Sequence, residues 1–132
     1  MENLIKVGEY IRTNKGNIGK IIEIRLGFNK DTQLYQDIYI LDNGLWTVLD
    51  YIVKHSKQLT DLIEIGDYVN GMQVLDVYKP RDLWEPIEIR VDSRYTNFIL
   101  AEDIKTILTK EQMMANCYKV GGEDDGKGTN NK

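Results

Sequence analysis

Short runs of alternating apolar and polar residues recur along the chain, and the runs themselves repeat. Ile5-Lys6-Val7-Gly8-Glu9-Tyr10-Ile11 returns 58 positions later as Ile63-Glu64-Ile65-Gly66-Asp67-Tyr68-Val69. Each copy sets apolar residues around a Gly-acid pair and then runs into a glycine-bearing turn, Asn14-Lys15-Gly16-Asn17 in the first and Asn70-Gly71 in the second. Asn-Gly between apolar runs signals a hairpin, because both residues tolerate positive φ. A second strand is predicted after each turn, over 18–24 and 73–77. The echo continues as β-branched, alternating segments at 37–42 and 86–92. Each of these is followed by a turn, Asn43-Gly44 or Asp92-Ser93, and by a further strand over 45–49 or 96–100. Because alternate residues of a strand share a face, this pattern predicts burial of Val7, Ile11, Ile22, Ile24, Ile38 and Ile40 in the first copy. The corresponding set in the second is Ile65, Val69, Val77, Ile87 and Ile89. Gly8 and Gly66 are expected at a tight bend or at a close approach of another strand.

Helical patterning is scarce. Thr109 followed three residues later by Gln112 has the form of a capping box, so a short helix is predicted from there to about Asn116. A briefer helical turn over 56–62, with Ser56 as its cap, links the copies. Past Val120 the chain has no apolar residue, which predicts a flexible acidic and polar tail over 121–132. The fold class expected is therefore all-β with minor α: two small antiparallel barrels in tandem, 1–57 and 58–120, the second ending in the short helix.

Composition narrows the function. Of 132 residues, 42% are apolar and 29% charged, a balance that supports a packed core. Halves this small need a shared core or a partner copy to be stable, so a homo-oligomer is expected. Lysine and arginine number 17 against 21 acids, a formal charge of −4 that argues against general nucleic-acid coating. A lone cysteine, Cys117, excludes an internal disulfide and a cysteine metal cage. With no secretory leader or membrane span in the pattern, a cytoplasmic protein is expected.

The opening of each copy, apolar-x-apolar-Gly-acid-Tyr-apolar before a glycine turn, resembles the start of SH3-like barrels of the KOW type. The runs 52–56, 61–71 and 104–112, among them Ile52-Val53-Lys54-His55-Ser56 and Gly66-Asp67-Tyr68-Val69-Asn70-Gly71, resemble those of small uncharacterised proteins of phages and prophages of clostridia and related Gram-positive bacteria. The resemblance spans roughly residues 5–120 and is least clear over 25–36. It implies a genomic setting and an SH3-like form for each barrel, with no activity attached.

No catalytic constellation stands out. His55, the sole histidine, has no second histidine or nearby cysteine to make a metal site or a base–nucleophile pair. Cys117 reads as a small apolar residue on the last helix. The acids lack the spacing of a calcium loop, and the glycines lack that of a phosphate loop. No metal, cofactor or catalytic residue is expected. One stretch stands out: Tyr78-Lys79-Pro80-Arg81-Asp82-Leu83-Trp84-Glu85-Pro86 interleaves cations, aromatics and both prolines in a predicted inter-strand loop. A guanidinium beside an indole face suits a phosphate and a base. Arg90, Arg94 and Tyr95 follow close behind. The matching stretch of the first copy, 25–35, has a similar character, with Trp46 just beyond. The candidate ligand-binding set is therefore Lys79, Arg81, Trp84, Arg90, Arg94, Tyr95, Arg25 and Trp46, arranged as a composite site between the copies or between subunits.

Together with the prophage resemblance, these residues suggest a non-enzymatic phage accessory protein that counters host defence by sequestering a small nucleotide immune signal. An inhibitor that docks on a host defence protein such as a nuclease, as a nucleic-acid mimic, is the alternative. A structural or assembly module of the phage is the third reading.

Overall fold

The two glycine–acid pairs form the same turn. Glu9 N–H donates to Lys6 O and Asp67 N–H to Glu64 O, 3.1 Å in each case, and Gly8 and Gly66 both lie at φ +99°. Positive φ at the third residue alone defines a type II turn, which glycine enters without a Cβ penalty. The second residue of each turn, Val7 or Ile65, projects into solvent, contrary to the burial predicted from alternation. Neither glycine is closely packed. A Cβ at Gly8 would meet nothing within 4 Å, and one at Gly66 only the flexible Lys110 side chain at 3.5 Å. The bend, and not close approach, requires the glycine. Gly66→Ala should therefore lower stability by about 1 kcal/mol, the scale of left-handed strain alone; a urea-unfolding loss several times larger would reveal packing that the geometry lacks.

A computed structural model describes residues 4–82, 84–118 and 120; the predicted 121–132 tail lies outside the described residues. The chain is mostly β. Strands β1 (Tyr10–Thr13), β2 (Ile18–Asn29), β3 (Leu34–Leu41), β4 (Trp46–Val48) and β5 (Ile52–Ser56) form one antiparallel sheet in the order β4-β3-β2-β1-β5. Strands β6 (Tyr68–Val69), β7 (Met72–Tyr78), β8 (Glu88–Val91), β9 (Phe98–Leu100) and β10 (Ile107–Leu108) form a second, ordered β9-β8-β7-β6-β10. In both, four strands meander and the fifth returns beside the first after a 3-10 turn, Leu49–Tyr51 or Ala101–Asp103. The internal echo of the sequence is thus a repeat of strand order. A further 3-10 turn, Leu59–Leu62, joins the halves. Ser56 lies on β5, where its hydroxyl donates to Asp61 and accepts from Gln58 N–H.

Each sheet carries a bulge at the same place. The register slips between Ile21 and Glu23 opposite Leu41 and Ile40, and between Val74 and Asp76 opposite Val91 and Arg90. Two residues then oppose one, which re-phases the strand so that Ile21 and Ile24 both face inward although three apart. The bulge residues, Ile22 and Leu75, turn out to solvent. That corrects the predicted burial of Ile22, and it moves the β3 core from Ile38 and Ile40, which are half-buried, to Tyr39 and Leu41. The first core is Ile11, Ile21, Tyr39 and Leu41, with Ile24 packed against it. The second is Ile63, Val69, Val74, Ile89, Val91 and Ile99, with Val77 and Ile87 partly buried beside them.

The first hairpin differs between the copies, and that difference joins them. Val69 pairs with Met72 across the two-residue Asn70-Gly71 turn, whose φ values of 53° and 83° make it type I′. Ile11 instead pairs with Gly19, so β1 and β2 run on through Arg12 and Thr13 to a wider tip. The extension delivers Arg12 into the other half. Its side chain is fully buried; Nη1 donates to Leu62 O (2.9 Å) and Asp67 Oδ2 (2.5 Å), and Nη2 to Asp67 Oδ1 (2.9 Å) and Glu111 Oε1 (2.6 Å). Asp67 also accepts from the backbone N–H of Glu64 and of Lys110, so both its oxygens are saturated. Burial alone would lower the Arg12 pKa, but hydrogen bonds and charge from Asp67, then Glu111 and Glu64, outweigh it and keep the guanidinium firmly protonated.

Glu64 completes the cluster, 2.8 Å from Lys110 Nζ and 3.0 Å from Lys54 Nζ. Burial would raise its carboxyl pKa, but hydrogen bonds from Lys110 and Lys54 and the Arg12 charge hold it at about 2, below the ordinary 4.5. A carboxyl depressed on folding contributes stability that is present above its unfolded pKa and is lost as pH falls through the folded one. Chemical denaturation should therefore show stability declining between pH 4.5 and about 2, by on the order of 2 kcal/mol from this group, and Glu64→Gln should flatten that decline.

The short helix α1 (Lys110–Asn116) stands where predicted, with the Thr109 hydroxyl accepting from Gln112 N–H at 3.2 Å. Only half of the capping box forms, because the Gln112 side chain reaches across to Lys15 O (3.1 Å) and Asn17 Oδ1 (2.8 Å). The Thr109 hydroxyl also donates to Gly16 O at 2.8 Å. The helix start thus clamps the tip of the β1–β2 hairpin. Cys117 is the exposed C-cap of α1 rather than an apolar packing residue.

Candidate functional site

The predicted composite site separates into distinct parts. Lys79 to Pro86 does lie between β7 and β8, since Pro80 and Pro86 lack the N–H a ladder needs and β7 stops at Tyr78. The first copy has no matching loop. There β2 runs to Asn29 and β3 starts at Leu34, paired down to Asn29–Leu34, so Arg25 sits on a strand. Its guanidinium is held by Glu23 at 2.9 and 3.1 Å. Lys79 is paired with Asp61 at 3.0 Å. Arg81 and Arg94 are exposed, Trp84 is 80% exposed and Tyr95 91%. Trp84 thus stands in solvent. Arg90 lines a shallow depression of about 580 Å³ with Leu75, Asp76, Glu88, Val91, Asn97 and Phe98, where Glu88 lies 3.6 Å from its guanidinium. Two carboxylates against one cation make that surface a poor host for an anion.

Trp46 belongs to a different place. It walls a cleft of about 330 Å³ at the end of the first sheet, between the β1–β2 tip and the β3–β4 turn. Thr13, Asn14, Lys15 and Asn17 form one side; Leu45, Trp46 and Tyr51 form the other. Trp46 and Tyr51 are 65% and 53% exposed, so their rings are available to a ligand. Leu41 and Thr47 are buried and make the floor.

Both sides are held in place. The β3–β4 turn has Gly44 at φ +87°, and Asn43 ties it to the start of β2 by donating to Ile18 O at 3.0 Å and accepting from Leu45 N–H at 3.1 Å. The tip is fixed from the second half by Thr109 and Gln112, and Asn14 N–H closes the base on Tyr51 O at 2.8 Å. A cleft built before its ligand arrives loses less conformational entropy on binding. Two aromatic rings, one lysine, and amide and hydroxyl groups around an apolar floor match the composition of a small-molecule site.

The second half is built differently at the equivalent place. Phe98 pairs with Arg90 as Trp46 does with Ile40. With its hairpin only two residues long, the Asn70 side chain folds in, donating to Asp103 O and accepting from Lys105 and Thr106 N–H. Thr13, Asn14, Lys15, Asn17 and Tyr51 were not singled out from the sequence. The Asn-Lys-Gly-Asn tip and Trp46 lie about thirty positions apart, and no local pattern predicts that they converge. His55 Nδ1 meets Glu9 Oε1 at 2.5 Å, a local pair on β5 and the first turn. Among the described residues no three His, Cys, Asp or Glu side chains cluster as metal ligands, and no helix is long and apolar enough to cross a membrane. Comparison with protein-family models, with curated proteins and with solved structures gives no match.

Proposed function

We propose that the chain is a non-enzymatic binding protein that holds a nucleotide-sized ligand in the Trp46 cleft, and that it serves a phage by sequestering a nucleotide immune signal in the host cytoplasm. The observation that carries this reading is the cleft itself: Trp46 and Tyr51 offer stacking faces and Lys15 a cation in about 330 Å³, within the range of small-ligand sites. The phage setting rests on the sequence resemblance. We read each half, 1–57 and 58–120, as an SH3-like barrel. The shared strand order and the 3-10 turn before the fifth strand support that reading.

Isothermal titration against a panel of cyclic dinucleotides and cyclic ADP-ribose isomers tests the proposal; no heat from any of them would remove it. For a ligand that binds, Trp46→Ala should weaken affinity by about 1–3 kcal/mol, the value of a lost stacking face, roughly tenfold to a hundredfold. Its melting temperature should hardly move, because the ring is largely in solvent.

A second reading rests on a separate observation. Arg81, Trp84, Arg94 and Tyr95 are all exposed on the β7–β8 loop and the β8–β9 turn, a composition that favours contact with a macromolecule. It supports the inhibitor that docks on a host defence protein, or an assembly module. Stoichiometric capture of one host protein, lost in Trp84→Ala and kept in Trp46→Ala, would favour it.

A further inference from the structure

Beyond the first core, β2 and β3 continue as a two-stranded ribbon. The cross-strand pairs run from Arg25–Ile38 to Asn29–Leu34. On the β2 side, β1 pairs only with Ile18, Gly19 and Lys20, and the bonds of Gly8 and Glu9 end at Ile21. On the β3 side, β4 pairs only with Ile38, Tyr39 and Ile40. Among the described residues both outer edges of the ribbon thus lack a strand neighbour. Such a ribbon is marginal in water by itself, yet this one exposes Leu26, Phe28, Leu34 and Tyr35, with Ile22 at its base. Proteins that keep edges unpaired place lysine, proline or an inward charge there. From Ile22 to Phe28 the edge reads Ile-Glu-Ile-Arg-Leu-Gly-Phe, with neither lysine nor proline.

We propose that the chain forms a two-fold dimer in which the free edge of β2 pairs antiparallel with the same edge of a second copy, centred on Ile24. Unpaired backbone donors and acceptors call for a strand as occupant, and the side chains choose the copy and the register. Around Ile24 the two-fold sets Glu23 opposite Arg25 of the second copy and Arg25 opposite its Glu23. Both charge pairs are complementary, and they fix the register. Centring on Arg25 would set like charges face to face, and centring on Leu26 would leave Glu23 and Arg25 opposite neutral residues. A two-fold interface must be self-complementary in this way. The inference is independent of the cleft, which lies beside the β3–β4 turn, at the end of the sheet away from the β2–β3 tip.

Sedimentation of the full-length chain, from about 1 to about 100 µM, should show a reversible dimer. Arg25→Glu sets acid against acid at both pairs and should weaken the dimer at least about tenfold, and the exchange Glu23→Arg/Arg25→Glu should bring it back. Both residues are exposed and paired only with each other, so circular dichroism of the variants should match the parent. A monomeric parent across that range would overturn the proposal. So would an Arg25→Glu protein that dimerises as well as the parent, or an exchanged pair as weak as the single variant.

Discussion

Arg12→Ala is expected to cost about 3–5 kcal/mol, the range for stripping one partner from a buried ion pair. The side chain has no exposure to solvent and meets Asp67, Glu111 and Leu62 O from the second half. Removing it leaves the buried Asp67 carboxylate with two backbone N–H donors and without its bidentate cation. Stability of this size is a large part of what a small protein has, so urea unfolding should begin far earlier. In a double-mutant cycle, Arg12→Ala with Asp67→Ala should lose much less than the sum of the two singles, since the double variant buries no lone charge. A loss below about 1 kcal/mol for Arg12→Ala would mean that the pair is solvated and does not join the halves.

Gly16→Ala should be the most damaging of the glycine substitutions at positive φ, at about 2–3 kcal/mol. Two costs coincide there. Gly16 lies at φ +84°, and an added Cβ would stand 2.2 Å from the Thr109 hydroxyl and 2.8 Å from Glu111 Cβ. Either the hairpin tip or the start of α1 must move, which breaks the bond from Thr109 to Gly16 O and displaces a partner of Arg12. Gly44→Ala and Gly71→Ala share the positive φ but meet nothing within 4 Å. They should lose only about 1 kcal/mol each by thermal or urea unfolding. Equal losses at all three positions would show that the clamp between tip and helix carries no weight. Because the same tip walls the Trp46 cleft, Gly16→Ala should also weaken any ligand that Trp46→Ala weakens.

Hairpins and helix starts are local events, and they were legible in the residues. Asn70-Gly71 turns as type I′ because both residues accept positive φ, and Thr109 caps α1 because a hydroxyl at that position reaches the free N–H of Gln112. The internal echo was legible too, since one pattern of apolar spacing and glycine placement yields one strand order twice. Burial was misread where it depended on more than period two. A bulge inserts one residue without any composition that marks it, so Ile22 faces solvent and Tyr39, not Ile38 or Ile40, enters the core. The stretch 25–35 reads as a loop because cations, aromatics and a glycine interleave there, but Gly27 lies under the Ile38 side chain within a paired ribbon.

By itself the sequence determined the β class, the repeated turns, the short helix and the residue types available for contact. Tertiary structure alone decided which of them meet. Arg12 reaches Asp67 only because one hairpin is longer than its counterpart, and that partner lies 55 positions away. The Trp46 cleft draws its two sides from a hairpin tip and a turn that neither periodicity nor spacing connects, and a helix from the other half holds one of them. Local propensity acts over a few residues along the chain, whereas these contacts were set by how two sheets pack and where a buried charge finds its partner.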